Sequence, residues 1–439
     1  MHQERVVVVG AGLAGSEAAW QLASRGVKVD LFEMRPTKMT EAHKTPYFAE
    51  LVCSNSLGST SPDSAPSILK DELERLGSYI LLLARQFAVP AGASLAVDRE
   101  KFSKAVTAGL EKLPQITIHR EELTRIPTHG VTIVATGPLT STALSAELSR
   151  YVGTTSLYFY DAISPIVSAE SLDPEKMYVA NRYGKNGADF LNIPLTKEEY
   201  ETFVDDLLKG EVMLPHDFEE ERYFESCLPI EAMASRGKLT LAYGPMKPIG
   251  LNDPRTGKRP FAVIQLRTEN AFRTAYNLVG FQTKLKYKEQ ERIFRKLPGL
   301  ECAEFLRLGS MHRNTYVDSP RLLKPSLQLH ANPALLVAGQ LTGTEGYLES
   351  AATGLIAGIN AGRLVNGEQP LILPRETMLG SLLQTITDPA RFPFQPMNVN
   401  LGLLPPLDRV IKDRKLRNAA FAERARRSLP LSGEGCRCP

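Results

Sequence analysis

Three glycines and one acid near the start of the chain carry the clearest chemical signal. Gly10, Gly12 and Gly15 stand at the spacing G-x-G-x-x-G in Gly10-Ala11-Gly12-Leu13-Ala14-Gly15, and Glu33 follows at the end of the next extended run. This set suits an anionic dinucleotide. Gly10 permits a tight turn, Gly12 lets backbone approach a pyrophosphate, and Gly15 allows close contact between helix and strand. The first amides of the helix add partial positive charge toward the phosphates, and Glu33 is placed to accept hydrogen bonds from the ribose hydroxyls. The other reactive side chains are thiols. Cys53, Cys227, Cys302, Cys436 and Cys438 are scattered and odd in number, without metal-ligand spacing apart from a CxC in the tail. No metal site is expected, a disulfide framework is not expected, and a reducing cytoplasm fits such usage.

The elements that must position these residues are legible. Arg5–Gly10 reads as a buried parallel strand, since its valines run without polar alternation. Ser16–Arg25 has helical character, Gly26 punctuates it, and Val27–Phe32 gives a second strand ending at Glu33. Strand, glycine turn, helix, strand and acid in register is a much stronger signal than the glycines alone, yet FAD and NAD share it.

Two later segments separate the two coenzymes. Val131–Pro138 is a strand ending in Ala135-Thr136-Gly137, a pattern that two-nucleotide flavoproteins use beside FAD. Leu335–Gln340 is another apolar strand ending at Gly339, followed by Gly343, Gly346 and a helix opening through Glu349, Ser350 and Ala351. A helix start in that position faces the pyrimidine edge of a flavin and stabilises negative charge on the reduced ring. Flavoproteins usually carry Asp after that glycine, for the ribityl chain; here the residue is Gln340. Together these elements make FAD the expected resident cofactor.

At 439 residues, with 43% hydrophobic and 23% charged residues, the chain is sized for two or three globular domains. Nucleotide elements lie near both ends, so the expected fold is α/β, a split Rossmann-like FAD-binding domain with an inserted α+β domain. The expected boundaries are 1–155 and 323–405 for the two FAD-binding parts, 156–322 for the inserted substrate domain, and 406–439 for a basic C-terminal helix and tail. Within the insertion, Lys238–Tyr243 and Pro260–Leu266 read as strands, and Arg409–Arg427 reads as a basic helix. No apolar run is long enough to span a membrane, and no leader is evident; the expectation is a cytoplasmic protein with no obligate protein partner.

Seven segments occur in one order: Gly10–Gly15 with Phe32-Glu-Met-Arg-Pro36, Cys53-Ser-Asn-Ser56, Val97-Asp-Arg99, Phe224–Pro229, Tyr243–Gly250, Met311–Tyr316 and Gly346–Ala351. In these the chain resembles the folate- and FAD-dependent tRNA uridine-54 C5-methyltransferases, relatives of glucose-inhibited division protein A. The likeness extends to about residue 405. It implies transfer of a methylene group from methylenetetrahydrofolate to C5 of uridine, reduction to methyl with electrons from reduced FAD, and NAD(P)H as the final donor. Such chemistry uses a thiolate that adds to uracil C6, making C5 nucleophilic, and a group that removes the C5 proton. The resemblance puts Cys227 at C6 addition and Cys53 at the C5 proton, each with its thiolate favoured by cations, amides or a helix start. It also makes His312 and Tyr347 candidates for the folate pocket, and leaves Arg313 either to pair with a glutamate tail or to bridge domains. Asp98 and Arg99 are expected to serve the loop around the nucleotide.

Net charge is only +3, but basic residues concentrate. Residues 282–300 carry a local +4, 401–439 carry +5, and Arg255, Lys258 and Arg259 form a third group. Such patches supply sequence-independent phosphate contact, here to the tRNA T-arm, with the target base extracted from its paired position. Three alternatives stay open on residues alone: the same chemistry on ribosomal RNA, a flavin oxidoreductase acting on a small metabolite, or a non-catalytic nucleotide sensor.

Overall fold

The computed structural model describes residues 5–152, 157–184, 187, 189–213, 228–391 and 394–430. Its first sheet is five-stranded and parallel, in the order Leu335–Val337, Thr132–Val134, Val6–Val9, Val29–Phe32, Ile116–His119. The strands are short and apolar because both faces are covered, the arrangement that parallel pairing requires. A strand from near residue 335 thus completes a sheet begun at residue 6.

Between those strands in sequence, the chain builds a second sheet of different kind. Six strands run in the order Tyr178–Val179, Leu191–Leu195, Ala262–Thr268, Ala275–Leu278, Ile166–Ser168, Phe305–Arg307, with antiparallel pairing throughout. One face carries Ile193, Leu195, Ile264, Leu266 and Leu278 into a core shared with the Lys197–Lys209 helix. The expected strand at Pro260–Leu266 is present as Ala262–Thr268, whereas Lys238–Tyr243 contains a single helical turn, Thr240–Tyr243. Alternation over a few residues does not separate those two outcomes. The C-terminal helix begins at Arg414, capped by Asp413, rather than at Arg409. A ribbon of Leu157–Ala162 and Met311–Tyr316 links the two sheets, and the amide of Thr315 donates to the carbonyl of Pro138.

The first helix, Leu13–Ala23, packs along the long helix Tyr347–Val365. Their backbones come unusually close. A Cβ on Gly354 would lie 2.2 Å from the carbonyl oxygen of Ala14, and one on Gly358 would lie 2.7 Å from that of Ala18. Neither obstacle is a movable side chain tip. Gly362, one turn further, leaves 3.6 Å to its nearest neighbour.

This contrast is testable by urea unfolding. Gly354→Ala forces two backbones apart and is expected to cost about 1–3 kcal/mol, the usual penalty of overpacking. Gly362→Ala is expected to be neutral or to stabilise by up to about 1 kcal/mol, since glycine is a poor helix residue. Equal effects at the two sites would mean that the close helix contact is not the constraint.

Candidate functional site

The glycine turn sits at the end of Val6–Val9, and each glycine has a separate physical reason. Gly10 has φ +94°, and a Cβ there would meet Ala135 and Thr136 backbone at 2.7–2.8 Å. A Cβ on Gly15 would lie 1.7 Å from the carbonyl oxygen of Gly10. At Gly12 a Cβ would meet nothing within 4 Å. Two glycines therefore close the turn, and the third leaves open space above it for a ligand.

That space is a cleft of about 1020 Å³, counting the part that opens to solvent. Gly10, Gly12, Leu13, Ala14, Glu33, Thr136, Gly137, Gly339, Gln340, Ser350 and Tyr347 all line it. Ala11, Gly15 and Ala351 are not in the lining: Ala11 donates its amide to Glu33, Gly15 packs beneath the turn, and Ala351 is buried. Two helices open on the cleft, at Gly12 and at Gly346, and neither has a side-chain cap. Elsewhere Ser64, Ser78, Asp98 and Thr196 cap their helices. Uncapped amides at both cleft helices leave donors and partial positive charge for an anionic ligand. Size, glycine openings and donor set fit a dinucleotide.

Glu33 is more heavily engaged than expected. It accepts from the amide of Ala11 at 2.9 Å, from the amide and Nε of Arg35 at 3.1 and 2.9 Å, and from a terminal Arg35 nitrogen at 3.2 Å. Burial pushes its pKa up, but the Arg35 bonds and charge outweigh this and hold it below the usual carboxylate range. Arg35 is itself buried and reaches Glu50 at 3.3 Å. Beside them His43 lines the cleft, and burial first, then the Arg35 charge, lower its pKa to about 4. Arg35, His43 and Glu50 escaped the sequence reading as site residues, although Arg35 stands inside the Phe32–Pro36 segment.

Cys53 adjoins the same cleft through its neighbours. Val52 lines the cleft, and Tyr347, at the start of the long helix, lines it too. The Tyr347 oxygen accepts the amide of Cys53 at 2.7 Å and that of Ser54 at 3.3 Å. Burial above all, with the Cys53 charge, pushes the phenol pKa well up, so the hydroxyl keeps its proton. Arg99 holds the segment that flanks the cleft at Val52. It binds no part of the nucleotide cleft lining but donates to the carbonyls of Leu51 and Cys53 and pairs with Glu269 from the antiparallel sheet. Asp98 caps the helix that Arg99 begins. His312 and Arg313 lie on Met311–Tyr316, opposite Asp161 and Tyr160, and their side chains fall outside the described residues. So do Cys227, Cys436 and Cys438. Cys302 is exposed. No group of three metal-ligating side chains occurs among the described residues.

The model of glucose inhibited division protein A matches residues 5–369. The chain belongs to that family. It is 56% identical over 431 residues to the methylenetetrahydrofolate--tRNA-(uracil-5-)-methyltransferase TrmFO of Moorella thermoacetica, covering 98% of this chain and 99% of that protein. The TrmFO of Enterococcus faecalis is 54% identical over 422 residues, covering 96% and 97%. This chain is therefore a TrmFO-type member of the family. The crystal structure of Aquifex aeolicus GidA superposes with a TM-score of 0.70 at 20% identity, over 98% of this chain and 74% of that one. That likeness establishes the shared fold, a parallel Rossmann-like sheet joined to antiparallel sheets.

Tyr347→Phe removes the acceptor of two amides without changing the ring in the cleft. The expected cost is about 1–3 kcal/mol for amides left unpaired, read as faster alkylation of Cys53 at unchanged flavin content. An unchanged alkylation rate would show that Tyr347 does not hold the Cys53 loop.

Proposed function

We propose that this chain methylates C5 of uridine 54 in the T-arm of tRNA, taking a methylene group from methylenetetrahydrofolate and electrons from NAD(P)H, in the cytoplasm. The observation that carries this reading is the position of Tyr347, whose ring lines the dinucleotide cleft while its oxygen grips the Cys53 loop. FAD in that cleft would supply the two electrons that turn a transferred methylene into methyl. Gly10, Gly12, Thr136, Gly137, Gly339, Gln340 and Ser350 would hold it, and the two uncapped helix starts would face its anionic parts.

The protein's own part is positional and acid–base. Cys227 adds as thiolate to uracil C6 and makes C5 nucleophilic, and Cys53 takes the C5 proton so that the first sulfur can leave. Arg99 and Tyr347 fix the Cys53 backbone from two sides, which limits how far that sulfur can wander from the base. His312 and Arg313 belong with the folate. Residues 1–155 and 323–405 form the cofactor-binding parts, 156–322 the substrate domain and 406–439 the basic tail, in this reading.

The ion pairs favour one basic patch for RNA over the others. Lys286 pairs with Glu211 and Lys296 with Asp206, two acids from outside the run, which halves the +4 of residues 282–300, while Arg292 and Arg295 pair with Glu289 and Glu291 within it. Arg424 is spent on the carbonyls of Pro405 and Pro406, and Arg426 on Asp71. Among the described residues Arg409, Lys412, Arg414, Lys415 and Arg417 have no ion pair. Their charge is free to meet phosphates.

The purified protein is expected to be yellow and to release tritium from 5-labelled uracil in a tRNA transcript, dependent on methylenetetrahydrofolate and NADPH. Cys53→Ala and Cys227→Ala should each keep flavin and lose release; substantial turnover by either variant removes its assigned role. Flavin reduction without tritium release would support the small-metabolite oxidoreductase instead.

Replacing the five free cations at 409–417 with glutamine is expected to weaken tRNA binding and to lower the salt slope by up to about one for each phosphate no longer neutralised. Neutralising Lys286, Arg292 and Lys296 should leave both nearly unchanged. The opposite pattern in a filter-binding salt titration would transfer the RNA surface to residues 282–300.

A further inference from the structure

Arg267 is a buried cation that makes no ion pair among the described residues. It lies on Ala262–Thr268, directly across from Asn277, and is only 8% exposed. Its Nε is closed to solvent and has no hydrogen-bond partner, and among the described residues the guanidinium makes no ion pair. The neighbouring acid, Glu269, is taken by Arg99. Burial lowers the Arg267 pKa; Glu269 opposes this and Arg99 adds to it. The amide nitrogen of Asn277, on the same face of the sheet, is likewise buried and without an acceptor. Arginine is almost never buried unpaired, and an uncompensated buried charge is costly. Two adjacent donors without acceptors describe a site whose acceptor comes from a ligand.

The position is informative. Asn55, two residues after Cys53, donates to the carbonyl of Thr268, next to Arg267 in the chain. Arg99 spans Cys53 and Glu269. Arg267 is close enough to the Cys53 thiol for a charge there to act on it. The polar face of the antiparallel sheet therefore abuts the cysteine loop on the side away from the apolar core.

We propose that Arg267 receives the C4 carbonyl oxygen of the target uracil and stabilises the enolate formed on thiolate addition. This rests on the methylation reading above. In that step a sulfur electron pair forms the S–C6 bond, the C5–C6 π pair moves between C4 and C5, and the C4–O π pair settles on O4. Arg267 donates hydrogen bonds to that oxygen and transfers no proton. When C5 attacks the electrophilic methylene, the pair returns and the carbonyl reforms. C4 adjoins C5, whose proton falls to Cys53, so a donor beside Cys53 stands where the charge develops. A fixed donor aimed at developing charge acts on turnover more than on binding.

The test uses the full-length flavoprotein with Arg267→Met and Arg267→Lys. Met is expected to leave flavin absorbance, NADPH-driven flavin reduction and tRNA affinity within about twofold, while tritium release at saturating tRNA falls roughly 100-fold or more. Lys should restore part of that loss. Turnover by the Met variant should not recover at high pH, even where loss of the nearby cation moves the pH profile of Cys53 alkylation. Full turnover by Arg267→Met overturns the proposal, and so does a parallel loss of flavin or tRNA binding. It also fails if the alkylation profile shifts and turnover recovers at high pH, since Arg267 would then serve the thiolate. If the unaltered protein releases no tritium, the methylation reading itself has failed, a result distinct from an active Met variant.

Discussion

The close approach of two helices holds this architecture together. Leu13–Ala23 and Tyr347–Val365 are more than 300 residues apart in sequence, yet Gly354 and Gly358 let the later helix lie on the carbonyls of Ala14 and Ala18. Any side chain at Gly354 would strike backbone, which cannot rotate away. Because the helices are held this closely, both of their amino ends open on one cleft. The same contact brings Leu335–Val337 into the sheet begun by Val6–Val9 and delivers Tyr347 to the Cys53 loop. A shift of a few tenths of an ångström here would be felt at every part of the site.

Polar contacts at the site tie separate parts of the fold to one short segment. Residues 51–55 are held by Tyr347 from the long helix, by Arg99 from the helix that Asp98 caps, and by the Asn55 bond to the antiparallel sheet. Each bond alone is worth about 1 kcal/mol. Their common effect is that the cysteine cannot move independently of either sheet. The cleft end is held differently, by the buried Glu33–Arg35–Glu50 cluster, in which each carboxylate takes several donors. A buried charge group of that kind is stable only when every member is satisfied, and here the acids and the arginine meet that condition. Arg267 makes no ion pair among the described residues, and it stands next in the chain to Thr268, which holds Asn55 of the Cys53 loop.

The surface shows why charge counted along a sequence is a weak guide to nucleic-acid contact. The run 282–300 is the densest cationic stretch before the tail, yet Asp206 and Glu211 from elsewhere in the chain neutralise much of it. The run 409–417, lying partly outside the C-terminal helix, meets no such partners among the described residues. Exposed pairs contribute little to stability, but they do cancel the field that a phosphate backbone would sense.

Much of the fold was legible in the residues because it depends on local rules. Unbroken β-branched runs, a glycine turn, a helix and an acid at fixed spacing define the parallel sheet and its cleft without reference to anything distant. The motif cysteine at 53 was visible for the same reason. What sequence alone could not decide was every relation between segments far apart: Arg99 turning to the Cys53 loop, Arg35 claiming Glu33, Lys238–Tyr243 containing a helical turn rather than forming a strand, and Glu269 going to Arg99 and leaving Arg267 alone. Spacing constrains residues within one element, whereas partners from different elements are assigned only when packing brings them within hydrogen-bond reach.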